Sequence, residues 1–289
     1  MDMSPRFLMG VLGIAVLASA VWLVSARQGS TQSPADDHVK LELVSEQDAF
    51  VSGEELLVGI RFILEEGWHT YWINPGDSGE PPRVQWHLPA DAQAGEIKWP
   101  YPKRLSTPPF ADFGYEHQVL LVVPIRVPPT LKEGETEKIT AQVRYLICRD
   151  VCIPGQKQLE LSLPVKNRAA PSPARELFAA SRAKIPGPTP PNWKISVTSL
   201  GEEFVLNLQT GEPTRVVQFF PLYPEQIENA ASQEVTVFSG GVRLHLKKSS
   251  HLLTPVARLE GIIVVDSERG YSINVPVSRS MKNGAQIAE

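Results

Sequence analysis

Cys148 and Cys152 flank Arg149-Asp150-Val151 and are the only two cysteines of the chain. Two thiols at this spacing can form a local staple, or they can cycle between dithiol and disulfide. In an exported chain they meet an oxidising compartment and tend to close. A staple gains most from a long loop. In the chain-entropy model a five-residue ring contributes about 2 kcal/mol, against about 4.7 kcal/mol for a 100-residue loop. A chain of 289 residues can also bury a core without staples. The pair therefore suits thiol–disulfide exchange better than structural support. Arg149 and Asp150 push a neighbouring thiol in opposite directions, so charge alone does not say which sulfur attacks.

The elements around the pair must bring the sulfurs together. A disulfide needs Cα atoms roughly 4.4–6.8 Å apart, whereas four extended steps span about 13 Å. Residues 149–151 must therefore turn. Before them, Ile139, Ala141, Val143, Tyr145 and Ile147 alternate on one strand face; after them, Leu159, Leu161, Leu163 and Val165 do the same. A hairpin with the cysteines facing across it is the expected geometry. Cys148 then points away from the core face, with Arg144 and Leu146.

The same short-strand rhythm runs along most of the chain. Leu56, Val58, Ile60, Phe62 and Leu64 alternate, and the aromatic stretch Trp68–Ile73 ends in the turn cluster Asn74-Pro75-Gly76-Asp77-Ser78-Gly79. The sequence carries 26 prolines and 20 glycines, which favour turns and edge strands over long helices. Seven or eight strands over residues 38–166 predict a β-sandwich. Residues 167–192 break the rhythm and read as a Pro-rich linker. It contains a short helix over Ala174–Lys184, capped by Ser172, and few contacts are expected to cross it. Alternation resumes over residues 193–289 and predicts a second, smaller sandwich. The fold class is all-β, two immunoglobulin-like β-sandwiches.

The N-terminus reads as an export segment. Residues 7–24 are almost unbroken apolar, and small residues at Ala18-Ser19-Ala20 and Val24-Ser25-Ala26 suit cleavage, so residues 1–26 form a signal peptide or an uncleaved membrane anchor. Residues 27–37 read as a flexible tether. The periplasm is the expected location. Net charge is −4 with no Lys/Arg run, which excludes a nucleic-acid partner. His69, His87 and His117 match no compact ligand spacing, so neither a metal nor a cofactor is expected. Trp68, Trp72, Trp86 and Trp99 read as core. Asp112, Glu116 and His117 read as a solvated loop rather than an acid–base group.

Several segments, in order, resemble one family. They are Gly67-Trp68-His69-Thr70-Tyr71-Trp72-Ile73-Asn74-Pro75-Gly76-Asp77-Ser78-Gly79, Trp99-Pro100-Tyr101-Pro102, Phe113-Gly114-Tyr115-Glu116 and Cys148-Arg149-Asp150-Val151-Cys152-Ile153-Pro154-Gly155. The set is similar to the N-terminal periplasmic domain of the thiol–disulfide interchange protein DsbD, in its ScsB-like branch, over residues 38–166. The resemblance implies an electron-carrying pair with Cys152 as the attacking thiol and Cys148 as the resolving thiol. It also implies an aromatic cap at Asp112, Phe113 and Tyr115, with Phe113 as the shield. Tyr101, Arg149 and Asp150 would meet the partner. Thioredoxin-like periplasmic proteins are the implied partners. No multi-helix membrane segment and no Cys-x-x-Cys module occurs in the 289 residues, so electrons would come from a separate membrane donor. The three-residue spacing of the pair is shorter than in the best-known members. The competing class is a non-enzymatic envelope binding or scaffold module with a static disulfide, one version of which would serve copper tolerance.

Overall fold

The computed structural model describes residues 34–279 except 213, 215 and 216. The export segment lies outside the described residues, and among these no helix is long and apolar enough to cross a membrane. The described residues form one compact unit.

A 3-10 turn, Pro34–Asp37, leads into ten strands. They are β1 (Val39–Ser45), β2 (Glu55–Leu64), β3 (His69–Gly76), β4 (Arg83–His87), β5 (Gln93–Ala94), β6 (Lys103–Thr107), β7 (Phe110–Glu116), β8 (Gln118–Arg126), β9 (Thr136–Cys148) and β10 (Cys152–Pro164). One sheet runs β1-β2-β8-β5. The other runs β10-β9-β3-β7-β6, with β4 also paired to β9. Alternation drives the packing. Ile60, Phe62 and Leu121 from the first sheet meet Ala141, Val143, Tyr145 and Ile147 from the second in a shared core. The initial turn belongs to this body too. Ala35 is buried, and Asp36 accepts from Tyr145 Oη and Lys157 Nζ, so the end of the expected tether is fixed in place.

The Pro-rich segment is not a slack connection. Its helix α1 (Arg175–Arg182) begins after Ala174, which makes no side-chain cap. Ser172 instead accepts from the Ala174 amide and donates to the Ser45 carbonyl, tying the segment to β1. Phe178 is buried against Leu120 and Val122, and Ser181 Oγ donates to the Leu120 carbonyl at 2.9 Å. Arg182 pairs with Glu46. These contacts correct the expectation that few would cross residues 167–192. The apolar side of α1, carrying Leu177 and Phe178, covers the outer face of β8.

Beyond α1 come β11 (Gly187–Pro188), β12 (Lys194–Leu200), β13 (Glu203–Gln209), β14 (Val217–Pro221), β15 (Glu234–Phe238), β16 (Gly241–Lys247), β17 (Arg258–Val265) and β18 (Arg269–Arg279). They run in the order β14-β17-β18-β12-β13-β16-β15, with β12 parallel to β18 and β11 also on β18. Their core joins Leu206, Leu208 and Leu244 to Phe219, Leu259 and Ile263. The intervening residues of β14 and β17 face the other way. Phe220, Ile262 and Val264 enter the core of the first sandwich. β17 is thus buried on both faces from Gly261 to Val265, an unbroken apolar run, whereas β14 exposes Gln218. Polar bonds frame the junction: Asn74 Nδ2 donates to the Pro221 carbonyl and Asn229 Nδ2 to Asp77 Oδ1, each at 2.8 Å.

Candidate redox site

The β9–β10 hairpin places Ile147 opposite Ile153 and Cys148 opposite Cys152. Three residues remain for the turn, closed by the Arg149 amide donating to the Val151 carbonyl. The expected hairpin is present, and Cys148 and Cys152 form a disulfide with Cα atoms 4.1 Å apart. The two sulfurs do not share one environment. Cys148 is 3% exposed, whereas Cys152 is exposed beside Val151, itself 64% exposed.

Cys148 pairs in register with His69 on β3, and His69 pairs on its other side with Glu116 on β7. Strand alternation then sorts the neighbours. Cys148, His69, Tyr71, Gly114, Glu116 and Asp112 project to one face of the sheet, and Ile147, Thr70, Trp72, Tyr115 and Phe113 to the other. On the cysteine face the Tyr71 hydroxyl donates to Cys148 Sγ at 2.8 Å and lies 3.7 Å from Cys152 Sγ. Burial, reinforced by the charge of Asp112, pushes the Tyr71 pKa up to about 12, so the hydroxyl keeps its proton.

The loop after β3 covers Tyr71. Gly79 has φ +81°, and a Cβ there would come 2.2 Å from the Tyr71 ring, so only glycine lets the backbone lie on it. Asp112 fixes this loop by accepting from the Ser78 amide at 2.9 Å and from Ser78 Oγ at 3.0 Å. The turn between the cysteines rests on Trp68. The Arg149 guanidinium lies 5.2 Å from the Trp68 ring centroid, and His38 stacks on the same indole at 4.3 Å. Arg149 also pairs with Asp150.

The site residues expected from sequence therefore separate. Cys148, Cys152, Arg149 and Asp150 sit together at the hairpin tip. Asp112 is on the right face but acts behind Tyr71, through the loop. Phe113 is 1% exposed and packs edge-to-face on Phe220 with centroids 5.2 Å apart, so it is core and not a shield. Tyr115 is buried on the same inward face, its hydroxyl donating to the Pro100 carbonyl. Tyr101 points to the second sandwich, donating to the Glu268 carbonyl at 3.1 Å. Pleat parity is the physical reason: a residue at an even offset from Phe113, such as Tyr115, shares its face, and that face is the core. The aromatic group that touches the sulfurs is Tyr71. The alternation His69-Thr70-Tyr71-Trp72 carried that signal, but it needed the β3–β9 pairing to be read.

These features define a class: an all-β, immunoglobulin-like sandwich with a disulfide at a hairpin tip, one cysteine exposed and the other buried. Residues 40–164 match the family described as "Thiol:disulfide interchange protein DsbD, N-terminal". In fold the chain is similar to the N-terminal periplasmic domain of ScsB from Proteus mirabilis. The TM-score is 0.66 at 16% identity, over 86% of this chain and 96% of that one. The periplasmic chaperone SfaE aligns over 82% of this chain and 99% of its own at 10% identity, with a TM-score of only 0.21. No curated protein sequence matches the chain.

Proposed function

We propose that the chain is a periplasmic thiol–disulfide exchange protein. Its Cys148/Cys152 pair passes electrons between a membrane-linked donor and thioredoxin-like partners. The observation that carries this reading is the asymmetry of the two sulfurs. An incoming thiolate can approach through Cys152, the exposed residue of the pair, and Cys148 Sγ must then leave. Tyr71 Oη stands 2.8 Å from that leaving sulfur and donates to it. Hydrogen bonds strengthen when the acceptor becomes charged, so this contact favours the departing thiolate.

The electrons balance as follows. A donor thiolate attacks Cys152 Sγ, the Cys148–Cys152 bond breaks, and the bonding pair leaves on Cys148 as a thiolate that then takes a proton. The donor's second thiolate attacks the mixed disulfide, leaving the donor oxidised and Cys152 as a second thiolate that is also protonated. Toward the acceptor the sequence runs backwards. The Cys152 thiolate attacks the partner's disulfide, and Cys148 resolves the mixed disulfide.

Trapping tests the assignment. Cys148→Ser is expected to accumulate a covalent complex with a thioredoxin-like protein, and Cys152→Ser is not. The reverse pattern would exchange the two roles. No complex from either variant would favour the scaffold reading with a static disulfide.

A further inference from the structure

One buried titratable group beside the disulfide takes no part in the exchange as described. His69 is 8% exposed, and its Nε2 is closed off from solvent with no hydrogen-bond partner among the described residues. A lone buried polar nitrogen is costly and calls for a reason. His69 lies directly across the strand pair from Cys148, and its ring meets Tyr71 edge-on with centroids 5.2 Å apart. His69 and Tyr71 thus form one wall along the buried sulfur.

The charged groups facing His69 are few. From β7 come Asp112, held by Ser78, and Glu116, paired with Lys103 at 3.2 Å. On the hairpin, Arg149 lies over Trp68 and pairs with Asp150. Burial lowers the His69 pKa, and the carboxylates of Asp112 and Glu116 offset this only in part. The imidazole is therefore neutral at pH 7. With its proton on Nδ1, Nε2 is free to accept.

We infer that His69 is the proton acceptor for the Cys148 thiol of the reduced pair. In the disulfide Cys148 carries no proton, and Nε2 has nothing to accept. Reduction creates an S–H across from it. This inference rests on the exchange reading and assigns the step that releases a reduced partner. Cys148 Sγ–H gives its proton to His69 Nε2. The thiolate attacks Cys152 Sγ, the Cys152–partner bond breaks, and the electron pair leaves on the partner's sulfur. That sulfur takes a proton from solvent, and His69 returns its own to solvent. One disulfide is formed and one dithiol is delivered.

The test uses the reduced full chain and stoichiometric 5,5′-dithiobis(2-nitrobenzoate). Attack by Cys152 releases one coloured thiolate, and resolution by Cys148 releases the second. His69→Gln keeps a polar side chain but cannot hold a proton. It is expected to slow the second release on the order of 100-fold at pH 7, within the range of general-base contributions. The first release should be unchanged. In the native chain the second rate should level off above the His69 pKa; in the variant it should keep rising toward the thiol pKa. An unchanged second rate and pH profile would overturn the inference. Should the variant not fold, the native chain still decides it. The His69 ring proton signals must titrate at different pH in the disulfide and dithiol forms, and equal values would overturn the inference. If the native pair releases no second thiolate at all, the exchange reading fails and this one with it.

Discussion

Strand β3 divides two surfaces built from alternate residues of one short segment. Thr70 and Trp72 look inward, where Trp72 and Phe113 both meet Phe220 of the second sandwich edge-on. His69 and Tyr71 look outward to the buried sulfur. The inward face is apolar and joins the two sandwiches. The outward face holds titratable groups and is closed by a loop pinned on Asp112. Side chains one residue apart therefore have unlike jobs, and substitutions should separate stability from chemistry.

The largest expected effect is on the inward face. Phe113→Ala removes a fully buried ring from the junction of the two cores and should cost about 3–5 kcal/mol of unfolding free energy. The rate at which the disulfide reacts with a small thiol should not change, because Phe113 does not face the sulfurs. Chemical denaturation and a dithiothreitol reduction assay on the same variant check both statements. A faster reduction with little loss of stability would restore Phe113 as a lid.

Tyr71→Phe is the converse. It keeps the ring beneath Gly79 and removes only the hydroxyl. Stability should fall by about 1 kcal/mol, typical of one hydrogen bond. Reduction by dithiothreitol should slow about tenfold, since a bond to a charged sulfur is worth about 1.4 kcal/mol or more in the transition state. If Tyr71→Phe lowers stability and leaves the rate alone, the hydroxyl is a packing contact and the difference between the two faces shrinks.

What the sequence shows of this arrangement depends on range. The alternating runs of β2 and β9, and the turn between the cysteines, are local patterns and are readable from residues alone. The hairpin needed only the reach of a disulfide. The role of Tyr71 was hidden, because it depends on β3 lying beside β9 from 76 residues away. Phe113 matched a motif by position, yet its pleat parity turned it into the core. The strapping of α1 was hidden behind prolines, which read as a linker although Phe178 and Ser181 anchor it. The run Ile262–Val265 did hold a signal. Apolar residues at successive positions mean two buried faces, and here the second face is the other sandwich.

The smallest expected effect probes the support of the turn itself. Arg149 lies over Trp68, a contact worth about 0.5–1 kcal/mol at an exposed position, and its ion pair with exposed Asp150 adds little. In the oxidised chain the disulfide already holds residues 148–152, so Arg149→Ala should barely change its stability. In the dithiol the ring is open, and the cation–π contact becomes the main restraint on the turn. The reduced form should therefore lose about 0.5–1 kcal/mol that the oxidised form keeps. By the thermodynamic cycle that difference makes the reduction potential more negative by roughly 10–20 mV, at 30 mV per 1.4 kcal/mol. Denaturation of both redox forms and an equilibrium titration against glutathione measure the same quantity by two routes. Equal losses in the two forms, with an unmoved potential, would mean that Arg149 supports the Trp68 side of the sandwich and not the redox turn.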